Sequence, residues 1–150
     1  MDVADDTGRI TTIVPGTWSD LSTVPQDLAG TGTPQPALLA APSLSDFNNN
    51  AGPGVGVIVI DGFGAAGASV DEVLTGAVEG SGCTEAGREQ YDAGLLVDPY
   101  AVTDCGGVTG IILTAGLTTN PDVLVLVLGL ATTDNDLAVI DEVLANLIVS

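Results

Sequence analysis

Two long apolar stretches separated by a turn sequence constrain this fold more than any other feature. Residues 110–117 and 123–132 are rich in Val, Ile and Leu, and Thr119-Asn120-Pro121-Asp122 between them is typical of a tight turn. Two such strands without an intervening helix predict an antiparallel hairpin rather than a parallel βαβ unit. The apolar run 123–131 is far shorter than the about 18–20 residues that a transmembrane helix needs, so no membrane insertion is predicted.

The remaining chain contains further short strands and three helices with recognisable N-terminal caps. Runs of apolar or β-branched residues predict further strands at residues 9–14, 37–41, 55–60, 95–97 and 100–103, of which the last two are separated by a break at Pro99. Ser or Thr caps followed by acidic residues predict helices that open at Ser43, at Ser69 and at Thr133 or Asp134, the last running to Val149. We therefore predict a single domain over residues 1–150 with an α+β fold, in which an antiparallel sheet is sandwiched by helices and the C-terminal helix packs on the sheet.

The charge of the chain excludes many kinds of chemistry. The formal net charge is −18, the only cations are Arg9 and Arg88, and there is neither Lys nor His. Schiff-base lysines, imidazole bases and His-ligated zinc are therefore excluded. Such an acidic chain repels phosphate backbones and anionic lipid headgroups, so no nucleic-acid partner is predicted. We predict neither a catalytic residue, nor a cofactor, nor a metal site.

The two cysteines stand 22 positions apart, each in a Gly-rich turn. Cys83 follows Gly80-Ser81-Gly82, and Cys105 precedes Gly106-Gly107. Two cysteines without His cannot make a zinc site alone, and no cation is placed to activate either thiolate. A disulfide is favoured over two unrelated buried thiols, and closing such a loop contributes about 3 kcal/mol. A disulfide indicates an oxidising compartment.

One segment has the form of a dinucleotide fingerprint. Gly62, Gly64 and Gly67 fit G-x-G-x-x-G between the strand 55–60 and a helix. Acidic residues before the loop and in the first helical turn oppose a bound phosphate, and no later strand carries an acid for the ribose. The segment is therefore interpreted as a flexible loop, and no cofactor is assigned to it.

Three groups of acidic residues have the composition of a possible catalytic or metal site. Asp134-Asn135-Asp136 resembles the opening of a calcium loop, but the following residues supply no further ligands, so a helix cap is favoured. Asp5-Asp6 is interpreted as solvated charge near a frayed terminus. Paired carboxylates can hydrolyse a glycosidic bond, but an exposed acidic loop paired with Arg88 is favoured for Glu85, Glu89, Asp92 and Asp98.

Candidate residues for ligand or partner contacts are few because aromatic residues make up only 3% of the chain. The only tryptophan, Trp18, either lines a ligand groove or closes one end of the core. Tyr91, Tyr100 and Arg88 lie in the region of the two cysteines. These four residues are the candidates for a binding surface.

The order of short motifs along the chain supplies a family resemblance. Asp5-Asp6-Thr7-Gly8 precedes a Val/Ile strand, and Val14-Pro15-Gly16-Thr17-Trp18-Ser19-Asp20 ends it. The order continues through residues 40–47, 53–55, Cys83 with Arg88, 100–107, and Thr133-Asp134 with Asp136. Taken together, this order resembles a PsbP-like (LpqN-like) domain of secreted actinobacterial proteins, a module that also occurs in lipoproteins and as an appendage of anchored trypsin-like proteases.

The resemblance implies a helix-covered antiparallel sheet, a Cys83–Cys105 bridge, residence outside the cytoplasm and a non-catalytic role. The leading hypothesis is an interaction or sensor module that binds a protein or a cell-envelope component, with a monomer as the default state. The alternatives are a carrier of a small hydrophobic ligand, held between sheet and helices near Trp18, and a calcium-stabilised domain. Met1 to Asp6 has no targeting character, so we expect the domain to come from a longer exported or membrane-anchored protein.

Overall fold

A seven-stranded antiparallel sheet forms the centre of the molecule in the computed structural model. The model describes residues 1–27, 32–63, 69–92, 97–117 and 120–150. The strand order in the sheet is β3-β4-β5-β9-β8-β7-β6. These strands are β3 (Asp20–Ser22), β4 (Ala37–Ala41), β5 (Gly54–Ile60), β6 (Thr84–Asp92), β7 (Val97–Asp104), β8 (Thr109–Leu117) and β9 (Asn120–Ala131).

A smaller sheet and three helices complete the described part of the chain. The small sheet has the order β1-β2-β10, with β1 (Asp2–Ala4), β2 (Ile10–Ile13) and β10 (Ile148–Val149). The helices are α1 (Leu44–Asn48), α2 (Val70–Ser81) and α3 (Asp134–Ala145). All described strand pairs in both sheets are antiparallel. The predicted α+β class, the antiparallel sheet and the packing of the C-terminal helix on it are confirmed.

The two faces of the large sheet are covered by different elements. Because side chains alternate along a strand, Val125 and Val127 of β9 point to one face, where they join a core with Ile140 and Val143 of α3 and with β1 and β2. We call this the α3 face. We call the opposite side the α2 face. Its apolar side chains form two separate clusters with those of the helices, one beneath α1 and one beneath α2. The small sheet on the α3 face was not predicted.

The helix caps predicted from the sequence are confirmed. The Ser43 hydroxyl accepts from the Asp46 N–H, and the Ser69 hydroxyl accepts from the Glu72 N–H at 3.2 Å. Helix α2 then buries Leu74 and Val78 against the sheet. Its first turn is tied to the sheet where the Thr114 hydroxyl of β8 donates to the Val70 carbonyl at 2.9 Å.

The predicted hairpin of two long apolar strands is confirmed as β8 and β9. The pairing runs from Thr109 opposite Ala131 to Gly116 opposite Leu124, with an irregularity before Leu117 meets Asn120. The predicted turn began at Thr119, which lies outside the described residues, while Pro121 and Asp122 already belong to β9.

The prediction of two short strands broken at Pro99 was wrong. Residues 84–92 form the unpredicted edge strand β6, and β7 continues through Pro99. Pro99 lies opposite Gln90 of β6, whereas the pairing of β7 with β8 begins at Tyr100. Pro99 is thus tolerated because its stretch of β7 pairs on one side only, and a proline without an N–H is compatible with such an edge. The predicted strand residues Leu95 and Leu96 lie outside the described residues.

Two predictions at the ends of the chain were also wrong. Helix α3 stops at Ala145 instead of Val149, and Ile148–Val149 form β10 against β2. The segment around Asp5 is not frayed, because β1 pairs with β2 and Asp5 is only 4% exposed. In both cases pairing with β2 decides the local structure, across the whole chain for β10 and across a short connection for β1.

Candidate binding groove

The disulfide between Cys83 and Cys105 joins helix α2 to strand β7. Gly82 caps α2 in the left-handed region with φ 72°, which glycine adopts without strain, and Cys83 follows directly. Cys105 follows the last residue of β7, and the two Cα atoms are 4.6 Å apart. The predicted pairing is therefore confirmed, and the bridge fixes the end of α2 beside the sheet.

A groove of about 220 Å³ opens on the α2 face next to this bridge. It lies between the clusters beneath α1 and α2, and residues of both clusters line it. The floor and walls include the apolar side chains of Leu39, Phe47, Ile112, Leu128 and Leu130. Polar lining residues are Gln26, Asn48, Asn50, Ser81 and Thr103.

The hydroxyl of Thr103 is the most deeply buried polar group of this groove. Thr103 is 2% exposed, and its Oγ1 lies 3.6 Å from the Cys105 Sγ, the one hydrogen-bonding contact that the described residues offer it. A disulfide sulfur is a weak acceptor. Gly110 stands opposite Thr103 on β8, and a Cβ at Gly110 would lie 2.2 Å from the Thr103 Oγ1. Glycine at position 110 therefore leaves the space that the hydroxyl occupies.

Three of the predicted binding residues lie on the β6–β7 hairpin. Strand β6 is the last strand of the large sheet, and residues 84–89 are exposed. The Arg88 guanidinium pairs with the Glu85 carboxylate, and the Tyr100 hydroxyl donates to Glu89 Oε2 at 2.6 Å. Tyr91 lies on β6 in register with Asp98. This hairpin is thus an exposed edge that carries charged side chains.

Trp18 lies elsewhere. It is 3% exposed and belongs to the core on the α3 face, where it closes the core rather than lining the groove. The alternative of a carrier site near Trp18 requires a cavity of about 300 Å³ or more. The groove of about 220 Å³ is smaller, and it opens on the opposite face.

The acidic residues with possible catalytic or metal roles make structural contacts, and the predicted acidic loop is wrong because Glu85 and Glu89 lie on strand β6. Glu85 lies in register with Thr103, whereas Glu89 lies in register with Tyr100, so the two carboxylates belong to opposite faces of the sheet. Asp136 is 8% exposed, and its Oδ2 accepts from the Thr132 N–H and hydroxyl and from the Thr133 N–H. The favoured helix-cap interpretation of this segment is confirmed. Within the described ranges no group of three His, Cys, Asp or Glu is arranged to hold a metal ion.

The glycine fingerprint is described only in part. Gly62, two residues after the end of β5, has φ 76°, whereas Gly64 and Gly67 lie outside the described residues. Of the helices in the described ranges, none combines the length and apolar character needed to cross a membrane.

Sequence reasoning missed the groove and its Thr103–Gly110 pair. The nearest signal was a Gly inside an apolar strand, which often marks a close approach. Only the register of β7 on β8 brings the two residues opposite each other.

Fold and groove together define a disulfide-bonded α+β domain with an apolar groove on one sheet face and an exposed strand at one sheet edge. No protein-family model matches the sequence, and a search of curated proteins found no significant match.

Proposed function

We propose that this chain is a non-catalytic, extracytoplasmic interaction module of the PsbP-like type, which binds a protein or cell-envelope partner through strand β6. The observation that carries the proposal is the exposure of this strand, which has 9 residues and ends the large sheet. An edge strand presents unpaired N–H and C=O groups, to which an extended partner segment can add as a further strand. The disulfide supports residence in an oxidising compartment.

Charge indicates what kind of segment would pair with β6. The chain carries a net charge of −18, and on β6 Arg88 is already paired with Glu85. A cationic extended segment is therefore attracted, whereas a second copy of this chain is repelled. Both arguments support a monomer that recruits a basic partner.

The test is capture of partners from a cell-envelope extract by the oxidised domain. We expect the double variant Glu85→Lys with Glu89→Lys to lose the captured protein, because it reverses the charge at the edge. The control is Glu79→Lys with Glu142→Lys, which makes the same change of charge at exposed positions near the C-terminal ends of α2 and α3.

Equal capture by wild type and both double variants contradicts docking at β6. Loss of capture in both double variants contradicts it as well, because it assigns the effect to net charge alone. Circular dichroism checks that all three proteins are folded.

The groove favours a second candidate function, the binding of a small hydrophobic ligand between sheet and helices. Its supporting observation is the apolar lining around the buried Thr103 hydroxyl. This function does not require β6, so the charge variants above leave it unaffected.

A further inference from the structure

We infer that the groove binds a small, uncharged molecule that combines an apolar ring or short chain with one hydrogen-bonding oxygen, and that the Thr103 hydroxyl binds this oxygen. The inference rests on the second candidate function and names the ligand class for it. It depends on three properties of the groove: its volume, its buried hydroxyl and its lack of charged lining.

The volume sets the size of the ligand. An apolar cavity of about 150 Å³ in another, engineered protein holds benzene, with six carbon atoms. In proportion, the groove of about 220 Å³ holds about nine non-hydrogen atoms. That size corresponds to a single ring with a short side chain and is too small for a long acyl chain.

The buried hydroxyl sets the position of the polar atom. Thr103 is 2% exposed, yet its hydroxyl has only a disulfide sulfur at 3.6 Å for a partner among the described residues. A buried hydroxyl without a good acceptor costs free energy. A carbonyl or hydroxyl oxygen of a ligand accepts from it at this point, and the lack of a side chain at Gly110 gives the hydroxyl its room beside β8.

The lack of charge in the lining determines the chemical class of the ligand. The described residues that line the groove are all uncharged. A carboxylate or phosphate placed among them loses its hydration without gaining a cation, and the net charge of −18 adds repulsion. Anionic lipids and organic acids are therefore disfavoured, and neutral alcohols, phenols or carbonyl compounds are favoured.

The experiment compares three probes of nearly equal size by NMR titration of the oxidised protein. 2-Phenylethanol has the apolar ring and one hydroxyl, propylbenzene lacks the oxygen, and phenylacetate carries a negative charge. We expect saturable binding of 2-phenylethanol with shift changes at residues lining the groove, weaker binding of propylbenzene, and no binding of phenylacetate at neutral pH.

The variant Thr103→Val tests the hydroxyl, because valine keeps the shape and removes the oxygen. We expect its affinity for 2-phenylethanol to fall about three- to tenfold, the effect of one hydrogen bond, with unchanged affinity for propylbenzene. Thr103→Ser keeps the hydroxyl and retains the preference for 2-phenylethanol.

A second pair of variants tests the place of binding independently of Thr103. Leu128 and Leu126 stand two residues apart on the same face of β9, and both pack against the cluster beneath α2, but of the two only Leu128 lines the groove. Leu128→Phe fills the groove and lowers the affinity for all bound probes, whereas Leu126→Phe leaves binding unchanged.

The outcomes separate the ligand class from the second candidate function. Saturable binding in the groove that is equal for all three probes, or indifferent to Thr103→Val, overturns the inference and leaves a hydrophobic-ligand site. No saturable binding of any probe, or shift changes confined to another part of the molecule, overturns both.

Discussion

Asp5 and Asp136 are buried in this acidic chain, and each carboxylate accepts several hydrogen bonds from its own neighbourhood. The Asp5 carboxylate accepts from the Ile10 N–H at 2.8 Å and from the N–H and hydroxyl of Thr7. Burial raises the pKa of both carboxyls, but these hydrogen bonds, and those from Thr132 and Thr133 to Asp136, outweigh burial and lower the pKa of each below its ordinary value. Both carboxylates therefore stabilise the fold while they are charged.

The first prediction concerns Asp136→Asn. Because the Asp136 pKa is lower in the folded than in the unfolded state, its contribution is fully present above pH of about 4 and is lost as the pH falls through the folded pKa. We expect the variant to lower the free energy of unfolding by about 1–2 kcal/mol at pH 7. The difference from wild type should shrink towards pH 2.

Urea denaturation at several pH values measures this effect. Asp134→Asn is the matched control, since Asp134 is exposed in the same helical turn. A difference for Asp136→Asn that stays constant from pH 7 to pH 2 contradicts the assignment.

Such roles follow from sequence where a known capping pattern is present. The capping role of Asp136 was predictable because Thr133 and Asp136 stand three positions apart in a pattern that begins helices. The role of Asp5 was not, because β1 becomes ordered through its pairing with β2. Local hydrogen bonds can be predicted from spacing, whereas burial of a chain end cannot.

Helix α1 is held to the sheet by the contact of Phe47 with two glycines. A Cβ at Gly54 would lie 2.5 Å from the Phe47 ring, and one at Gly56 would lie 4.0 Å from that ring and 3.2 Å from the Leu39 side chain. Glycine in a strand usually weakens it, but here it lets the aromatic ring approach the backbone. The five-residue helix is thus seated by close contact rather than by its length.

The second prediction compares two Gly→Ala variants that add the same methyl group. Gly54→Ala should lower the free energy of unfolding by about 1–3 kcal/mol, because the ring of Phe47 must move. Gly76→Ala should raise it by about 0.5–1 kcal/mol, since Gly76 lies within α2 with open space where its Cβ would be.

Thermal and urea unfolding measure both variants. Destabilisation by Gly76→Ala, or a neutral effect of Gly54→Ala, contradicts the packing described here. Phe47→Leu in the Gly54→Ala background should recover part of the lost stability by removing the ring from the contact.

Elements with strong local signals were predicted closely, and elements that depend on distant partners were not. The strand 37–41 and the caps of the three helices matched because apolar residues and capping groups stand in the right local order. Strand β6 was missed because Thr84–Asp92 is polar and lacks the alternation of apolar and polar residues that marks a half-buried strand. Such a composition is common in exposed edge strands. The groove depends on the register of β7 on β8, which no local pattern encodes.

Charge acts on the molecule as a whole. Both arginines are already paired, Arg9 with Asp61 at 2.6 Å and Arg88 with Glu85, while the net charge remains −18. The uncompensated carboxylates repel one another, which favours expansion of the chain. Added salt screens this repulsion because the Debye length falls from about 10 Å at 0.1 M to about 3 Å at 1 M.

The third prediction is that the melting temperature rises by several degrees between low salt and 1 M NaCl. We expect CaCl₂ to produce the same rise at equal ionic strength, because Asp136 of the calcium-loop-like segment Asp134-Asn135-Asp136 is engaged in its helix cap. Differential scanning calorimetry in both salts measures this. A larger rise in CaCl₂, reversed by a chelator, would support the calcium-stabilised alternative instead.

The small sheet also determines where attached segments leave the molecule. The Met1 amino group donates to the Val14 carbonyl, and the Ser150 N–H donates to the Arg9 carbonyl, so both ends of this chain flank β2. Five residues of strand and two strand spacings separate them by about 20 Å. Both ends belong to the side of the α3 face, so a fluorescent protein or a surface tether fused at either end projects away from the groove and leaves its mouth unobstructed.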